Sequence, residues 1–323
     1  MWKCGAIIAV ALFFAACGVA GAWTVPATGL TKCYDNTGEI VCPVPGEPFY
    51  GQNGNYPGLI HIFTDNGDTV TDQRTGLVWQ KTPDGVARNW DAAVAYCTGL
   101  ALGNEPDWRV PEQRELVTIG DFTRSNPSFA LPLAGENSLY WSATPYVGYS
   151  GQAWYVKFLY GTSEFNAKDQ TRNVRCVRGQ TLPEPSPVAQ GNLVSDTATG
   201  LVWAKAASAA SKTWQEALAI CRSQVIDRYN DWRLPDVLEL RSLIAYIRVS
   251  PAIDPAVFAG IDAAFWTSTS FASHAEAAWQ VNFQAGTSAG EGKTAAAGVL
   301  CLRNSDSRLP GGNPAPLVEL LLQ

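Results

Sequence analysis

Two long stretches of the chain match each other residue for residue in order. Thr75-Gly76-Leu77-Val78-Trp79 returns as Thr199-Gly200-Leu201-Val202-Trp203, and Asp107-Trp108-Arg109 returns as Asp231-Trp232-Arg233. Trp90, Cys97, Pro111 and Glu115-Leu116 recur as Trp214, Cys221, Pro235 and Glu239-Leu240, all at an offset of 124. After one inserted residue the offset is 125: Tyr140-Trp141 matches Phe265-Trp266, Ala153-Trp154 matches Ala278-Trp279, and Phe158, Gly161, Lys168, Cys176 and Arg178 match Phe283, Gly286, Lys293, Cys301 and Arg303. A period of this length is domain-sized, far beyond the roughly 20–50 residues of a solenoid unit. The 323 residues therefore divide into a signal peptide (1–22), a Gly/Pro-rich leader (23–62), copy one (63–179), a Pro-rich linker (180–190), copy two (191–304) and a tail (305–323).

The N-terminus carries Lys3 and then an apolar run over 6–16, the pattern of a secretion signal. Ala20-Gly21-Ala22 offers a small-x-small cleavage site that leaves Trp23 first. Phe14-Ala15-Ala16-Cys17 is a competing lipoprotein box with cleavage before Cys17. The expectation is export to the periplasm, the outer-membrane surface or the exterior, with membrane attachment only if Cys17 is lipidated. Six cysteines follow the signal, an even number that suggests disulfides in an exported chain. Six allow 15 connectivities, but the repeat selects one: Cys97–Cys176 and Cys221–Cys301 within the copies, which leaves Cys33–Cys42 in the leader. Each large bridge closes a loop of about 80 residues, worth roughly 4 kcal/mol on the chain-entropy model.

Within a copy, Trp90, Ala93, Val94 and Cys97 fall on one helical face, and Thr213-Trp214-Gln215-Glu216 is a capping-box start for the matching helix. A second helix is expected from Pro111 and Pro235, proline being favoured at the first helical position. Asn66-Gly67 marks a hairpin turn, and the turn reading is preferred over a calcium loop for Asp65, Asp68 and Asp72, which lack the EF-hand Gly and Glu. Short alternating strands follow at 154–158 and 279–283 and at 174–178 and 299–303. The bridges would thus tie the first helix of each copy to its last strand.

The ordered set of TGLVW, W…A…YC, DWRVP or DWRLP followed by Glu-Leu, YWSAT or FWTST, AWYVKF or AWQVNF, and VRCVR or VLCLR resembles the family named after the C-terminal domain of a Legionella collagen-like protein (Lcl), formerly a domain of unknown function. The likeness covers about 75–178 and 199–303. The leader run from Cys33 to Pro43, followed by Gly46 to Gln52, resembles leaders attached to such domains. The resemblance implies a C-type-lectin-like fold. The expected class is therefore α+β: two tandem disulfide-stapled C-type-lectin-like domains, each with two helices on a small, mostly antiparallel sheet. Copy two departs from copy one at Leu300, where copy one has Arg175, and has no clear counterpart of Arg172.

Ten of the twelve tryptophans are repeat-matched, which fits a core role better than a ligand platform, with Trp141 and Trp266 as the candidate exceptions. Asp107-Trp108-Arg109 reads as structural, and Glu115 and Glu239 as partners of Arg175 or Arg178 rather than as a catalytic acid pair. His61 and His274 are the only histidines and are not matched, so no metal site and no histidine-based catalytic set is expected. Nor is a cofactor expected. A reactive thiol, as in the formylglycine-generating oxidases related to the broad fold, is disfavoured because every cysteine after the signal has a partner. The net charge of −6 argues against nucleic acid. What differs between copies carries the functional expectation: Arg124, Tyr146, Tyr149, Tyr160 and Arg172, with Trp141, form a Tyr/Arg-rich set suited to glycans or cell-surface proteins. The chain is thus expected to be a non-catalytic binding or adhesion module, with a structural envelope component as the alternative.

Overall fold

The computed structural model describes residues 22–56, 58–136 and 138–303. Residues 1–21, which hold Cys17 and all but the last residue of the expected signal peptide, and residues 304–323, which hold the expected tail, lie outside the described residues. In the leader, β1 (Cys33–Tyr34) pairs with β2 (Glu39–Ile40) beside the Cys33–Cys42 disulfide. Copy one runs β3 (Phe63–Asp65), β4 (Thr69–Asp72), β5 (Val78–Gln80), α1 (Trp90–Thr98), α2 (Gln113–Leu116), β6 (Leu139–Pro145), β7 (Gln152–Lys157), β8 (Thr162–Ala167) and β9 (Val177–Arg178). The linker supplies β10 (Pro187–Gln190). Copy two runs β11 (Leu193–Asp196), β12 (Val202–Ala204), β13 (Ser208–Lys212), α3 (Trp214–Ser223), β14 (Trp232–Arg233), α4 (Val237–Ser242), β15 (Ala264–Ser270), β16 (Ala277–Asn282), β17 (Thr287–Gly292), β18 (Ala297–Val299) and β19 (Leu302–Arg303).

This architecture corrects the expected α+β class. The chain is mostly β, with 30% strand against 13% helix, and two helices on a small sheet per copy does not describe it. α2 has four residues and α4 six. Pro111 and Pro235 stand one residue before the N-caps Glu112 and Asp236, not at the first helical position. The periodic stripe through Leu116 and Ile119 continues as a 3-10 turn over the β-branched run Val117–Ile119, which disfavours α-helix. The sheets are larger than expected because the copies share one. Its eight strands run β13-β18-β15-β16-β17-β8-β7-β6, antiparallel except for β15 with β18. Smaller sheets, β3-β4-β5-β9 and β10-β11-β12-β19-β14, flank it, and the linker read as extended is a strand in the second of these.

The joint between copies has a specific geometry. β8 and β17 occupy matched places in the repeat and pair antiparallel, with Ser163 opposite Ser288, its own counterpart. A residue that meets its equivalent across antiparallel strands lies on a local two-fold axis, as in an isologous dimer interface. The aromatic packing obeys the same symmetry. Phe122 of copy one packs edge-on against Trp279 of copy two at 5.3 Å, and its counterpart Tyr246 packs edge-on against Trp154 at 5.2 Å. The β7–β8 and β16–β17 turns approach this joint through Gly161 and Gly286, both at positive φ (90° and 80°). A Cβ on Gly286 would also stand 3.2 Å from Ile244 and 3.4 Å from Trp154.

Inside each copy, a disulfide joins the first helix to the closing segment. Cys97 and Cys176, and Cys221 and Cys301, are bonded, each pair with Cα atoms 5.5 Å apart. Matched ion pairs brace the turn before the second helix. Arg109 meets Glu115 through two contacts of 2.6 and 2.7 Å, and Arg233 meets Glu239 at 2.7 Å twice. Glu115 and Glu239 therefore face the arginine six residues earlier, not Arg175 or Arg178. Each also accepts the N-cap amide of its own helix, so one carboxylate closes the capping box and holds the arginine. Arg178 and Arg303 pair with Asp107 and Asp231. Arg175, fully buried over the Phe129 ring, donates to the main-chain carbonyls of Gln80, Lys81 and Ala134.

The leader, adjacent in sequence to copy one, lies largely on copy two. Phe49 packs on Trp214 at 6.2 Å, and Asn53 Oδ1 accepts from Thr269 Oγ1 at 3.0 Å. Lys293 sits 4.3 Å over the Trp214 ring and donates to the carbonyls of Asp35 at 2.7 Å and Tyr34 at 3.4 Å. Burial under the leader pushes the Lys293 pKa down from 10.5 to about 8, against the opposing pull of Asp35 and Glu276.

Four outcomes are expected. Replacing Cys97 and Cys176 together by Ala should lower the unfolding free energy in urea by about 2–5 kcal/mol. Glu239→Gln should cost about 3–5 kcal/mol, because it strands a buried guanidinium. Glu115→Gln should cost less, since Arg109 keeps 28% of its side chain exposed. Lys293 is more readily protonated unfolded than folded, so its contribution to stability should rise as pH rises from about 8 towards 10.5. The stability difference between wild type and Lys293→Met, measured between pH 8 and 10, should shift in favour of wild type; a flat difference would refute that account.

Candidate functional site

The local two-fold brings four segments to one mouth. The stretch after α2 supplies Phe122, Arg124 and Ser125, and the β7–β8 turn supplies Tyr160. From copy two, the β15–β16 loop supplies Phe271, Ala272 and Ser273, and β16 supplies Trp279. Together they line a small, open crevice. It encloses only about 10 Å³, room for about one water molecule and far below the roughly 300–1,000 Å³ of a drug-sized ligand site, so a ligand meets its open rim and inserts no more than an edge or a substituent.

Its walls are aromatic and its rim is polar. Phe271 packs against Trp279 at 5.0 Å, and Tyr160 against Phe271 at 5.3 Å. His274 stands beside them, 5.7 Å from Phe271 and 6.3 Å from Tyr160. Phe122 and Trp279 are buried, whereas Tyr160 and Arg124 are half-buried. Arg124 has neither an ion pair nor a hydrogen bond to any described residue. Beneath the aromatic floor lies Arg241, 3% exposed, its guanidinium 5.3 Å from Phe122 and 5.0 Å from Trp279. Its Nε donates to Ser288 Oγ at 2.9 Å and its Nη2 to the Gly161 carbonyl at 2.8 Å, while Nη1 has no partner among the described residues. Burial pushes its pKa down to about 10, which leaves it charged at neutral pH. A cation is thus fixed across the joint, under the crevice.

Of the residues singled out from the sequence, Arg124 and Tyr160 meet here. The others lie elsewhere. Tyr146 is buried, stacked on Phe165 at 3.6 Å, with the 69%-exposed Tyr149 lying 6.3 Å beyond it. Trp141 is fully enclosed, and its indole donates to the Arg88 carbonyl. Arg172, 5% exposed, lies between the rings of Trp141 at 4.4 Å and Tyr155 at 4.1 Å, and the Tyr155 hydroxyl donates to Glu164 at 2.5 Å. Trp266 is also fully enclosed. Phe122, Phe271, Trp279 and Arg241 escaped the sequence reading because they form a site only when the copies face each other. One signal was present for Arg241: copy one has Val117 at the matched, otherwise apolar position.

The crevice belongs to one side of the two-fold. On the other side Ala285 stands where Tyr160 would, and Tyr146 and Gly148 stand where Phe271 and Ser273 would. Copy two has Gly290 in place of Phe165, and a Cβ there would lie well inside contact with the Phe271 ring.

No helix among the described residues is long and apolar enough to cross a membrane. Three disulfides suit an oxidising compartment. No curated protein matches the chain. The profile of the Lcl C-terminal domain matches twice, over residues 68–178 and 192–303, most of the chain and both halves of the repeat. With its paired aromatic cores and disulfides in those two spans, the chain belongs to the Lcl C-terminal domain family, of which it carries two tandem copies.

Proposed function

We propose that the protein is an exported, non-catalytic binding or adhesion module that engages a glycan or cell-surface protein at the open aromatic crevice between its copies. The observation that carries this reading is Arg124, a guanidinium without a partner among the described residues, at the mouth of a crevice walled by Tyr160, Phe271 and Trp279. Aromatic walls desolvate and stack on a ring, and a planar cation with free donors fixes its polar substituents. Arg241 below adds a fixed positive field that does not have to be assembled when the ligand arrives.

The alternative of a thiol-based enzyme has less support. All six cysteines among the described residues are in disulfides, so none offers a nucleophilic thiol. An extracytoplasmic setting fits those bonds, and lipid attachment at Cys17 would place the module on a membrane surface.

The test is binding of the mature, oxidised protein to an array of glycans and cell-surface proteins. Tyr160→Ala and Arg124→Ala should each weaken the best binder about tenfold, roughly 1.4 kcal/mol, with thermal unfolding unchanged. Variants that bind as tightly as wild type would remove the crevice from the function.

A further inference from the structure

Copy one repeats the receptor on which the leader sits in copy two, and there it is only half-buried. In both copies a tryptophan opens the first helix and donates its indole N–H to a strand carbonyl, Trp214 to Thr267 at 2.7 Å and Trp90 to Ser142 at 2.8 Å. In both, the amide of that tryptophan donates to the carbonyl of the matched lysine, at 3.0 Å for Lys293 and 2.9 Å for Lys168. The lysine ammonium then lies over the indole face, 4.3 Å away in copy two and 4.2 Å in copy one. The two constructions are superimposable in kind, contact by contact.

Their surroundings differ. Trp214 is fully buried and Lys293 is 2% exposed, because the leader lies across them with Phe49 on the indole and two consecutive carbonyls, Tyr34 and Asp35, at the ammonium. Trp90 and Lys168 are only half-buried, and no described residue accepts a hydrogen bond from the Lys168 ammonium. A cation held on an aromatic face keeps its remaining N–H donors pointing away from the ring, where consecutive backbone carbonyls can reach them.

We infer that the Trp90–Lys168 face of copy one docks an extended, turn-forming peptide segment of a partner protein, one that presents consecutive backbone carbonyls to Lys168 and an aromatic side chain to Trp90. The occupant is read from the same molecule: residues 34–53 cover the matched face of copy two in this way. One difference shapes the partner. Where Thr269 donates to the leader's Asn53, the matched Thr144 donates to Glu112 of its own copy, so the incoming segment needs no acceptor at that point. The face is separate from the crevice, and the inference does not rest on the function proposed above.

The probe is a synthetic peptide of residues 31–52 with its Cys33–Cys42 bridge formed, labelled and titrated into the mature protein by fluorescence anisotropy. In trans it lacks the tether that raises the effective concentration of the leader to about the millimolar range, so a dissociation constant between micromolar and millimolar is expected. Lys168→Ala should weaken binding about tenfold, the loss expected of charge-assisted hydrogen bonds, and Lys168→Arg should restore part of it. Tyr160→Ala should leave binding unchanged. A photoreactive residue at position 49 of the peptide should cross-link to residues 90–98. Failure to saturate at millimolar peptide, unchanged affinity in Lys168→Ala, or cross-links confined to 214–223 (exchange with the resident leader) would each overturn the inference. So would a neutral oligosaccharide that binds in a Lys168-dependent manner when the peptide does not.

Discussion

Everything larger than a single copy depends on one strand pairing, β8 against β17. An exposed edge strand is a template for association, and each copy carries the same edge. Antiparallel pairing of the two edges joins them into one eight-stranded sheet and sets the local two-fold. The symmetry in turn places each copy's post-helix aromatic on the other's tryptophan, Phe122 on Trp279 and Tyr246 on Trp154. A homodimer would be bound to keep both halves of such an interface identical. A tandem chain is not, and the two sides have diverged.

The divergence is concentrated where the copies meet and where the leader lies. Arg241 of copy two stands where copy one has Val117, and its guanidinium reaches Ser288 and the Gly161 carbonyl of the other copy. Tyr160 has Ala285 as its counterpart, which closes the crevice on one side only. Arg172, clasped by Trp141 and Tyr155, has Ala297 as its counterpart, and Tyr155 has Gln280. The shared elements, by contrast, are those that hold a copy together: the disulfide from helix to closing segment, the arginine–glutamate pair in the capping box, and the Lys–Trp stack. Structure is common to both copies, whereas the surface chemistry is particular to each.

Much of a single copy could be read from its residues. The first helix follows from the i, i+3, i+4, i+7 spacing of Trp90, Ala93, Val94 and Cys97, and its mate from the Thr213–Glu216 capping box, which closes through hydrogen bonds of 2.8 and 3.4 Å. The Asn66-Gly67 turn joins β3 and β4. The second helix was overestimated because Leu116 and Ile119 sit at helical spacing, yet the β-branched run between them settles into a 3-10 turn. The assignment of Glu115 to Arg175 or Arg178 failed for a different reason. Nothing local distinguishes one arginine from another; the geometry of the cap decides. The joint between copies was invisible, since periodicity reports which face of a strand is buried and not which edge meets which. Of the candidate site, only Arg124 and Tyr160 were legible, Tyr160 because Ala285 replaces it in copy two and Arg124 as a loop cation, although Arg248 matches it.

The position of the leader bears on how the chain is completed. Its anchors, Trp214, Thr269 and Lys293, belong to copy two and are made after the leader and all of copy one, and the link from Asp35 to Lys293 spans 258 residues. A chain emerging from its N-terminus therefore delivers the leader long before the surface that receives it exists. Closure entropy places such distant contacts late. Seating of the leader thus reports that copy two has been made and folded, and a product truncated before Lys293 would carry Phe49 and the bridged hairpin without their cover, open to proteolysis.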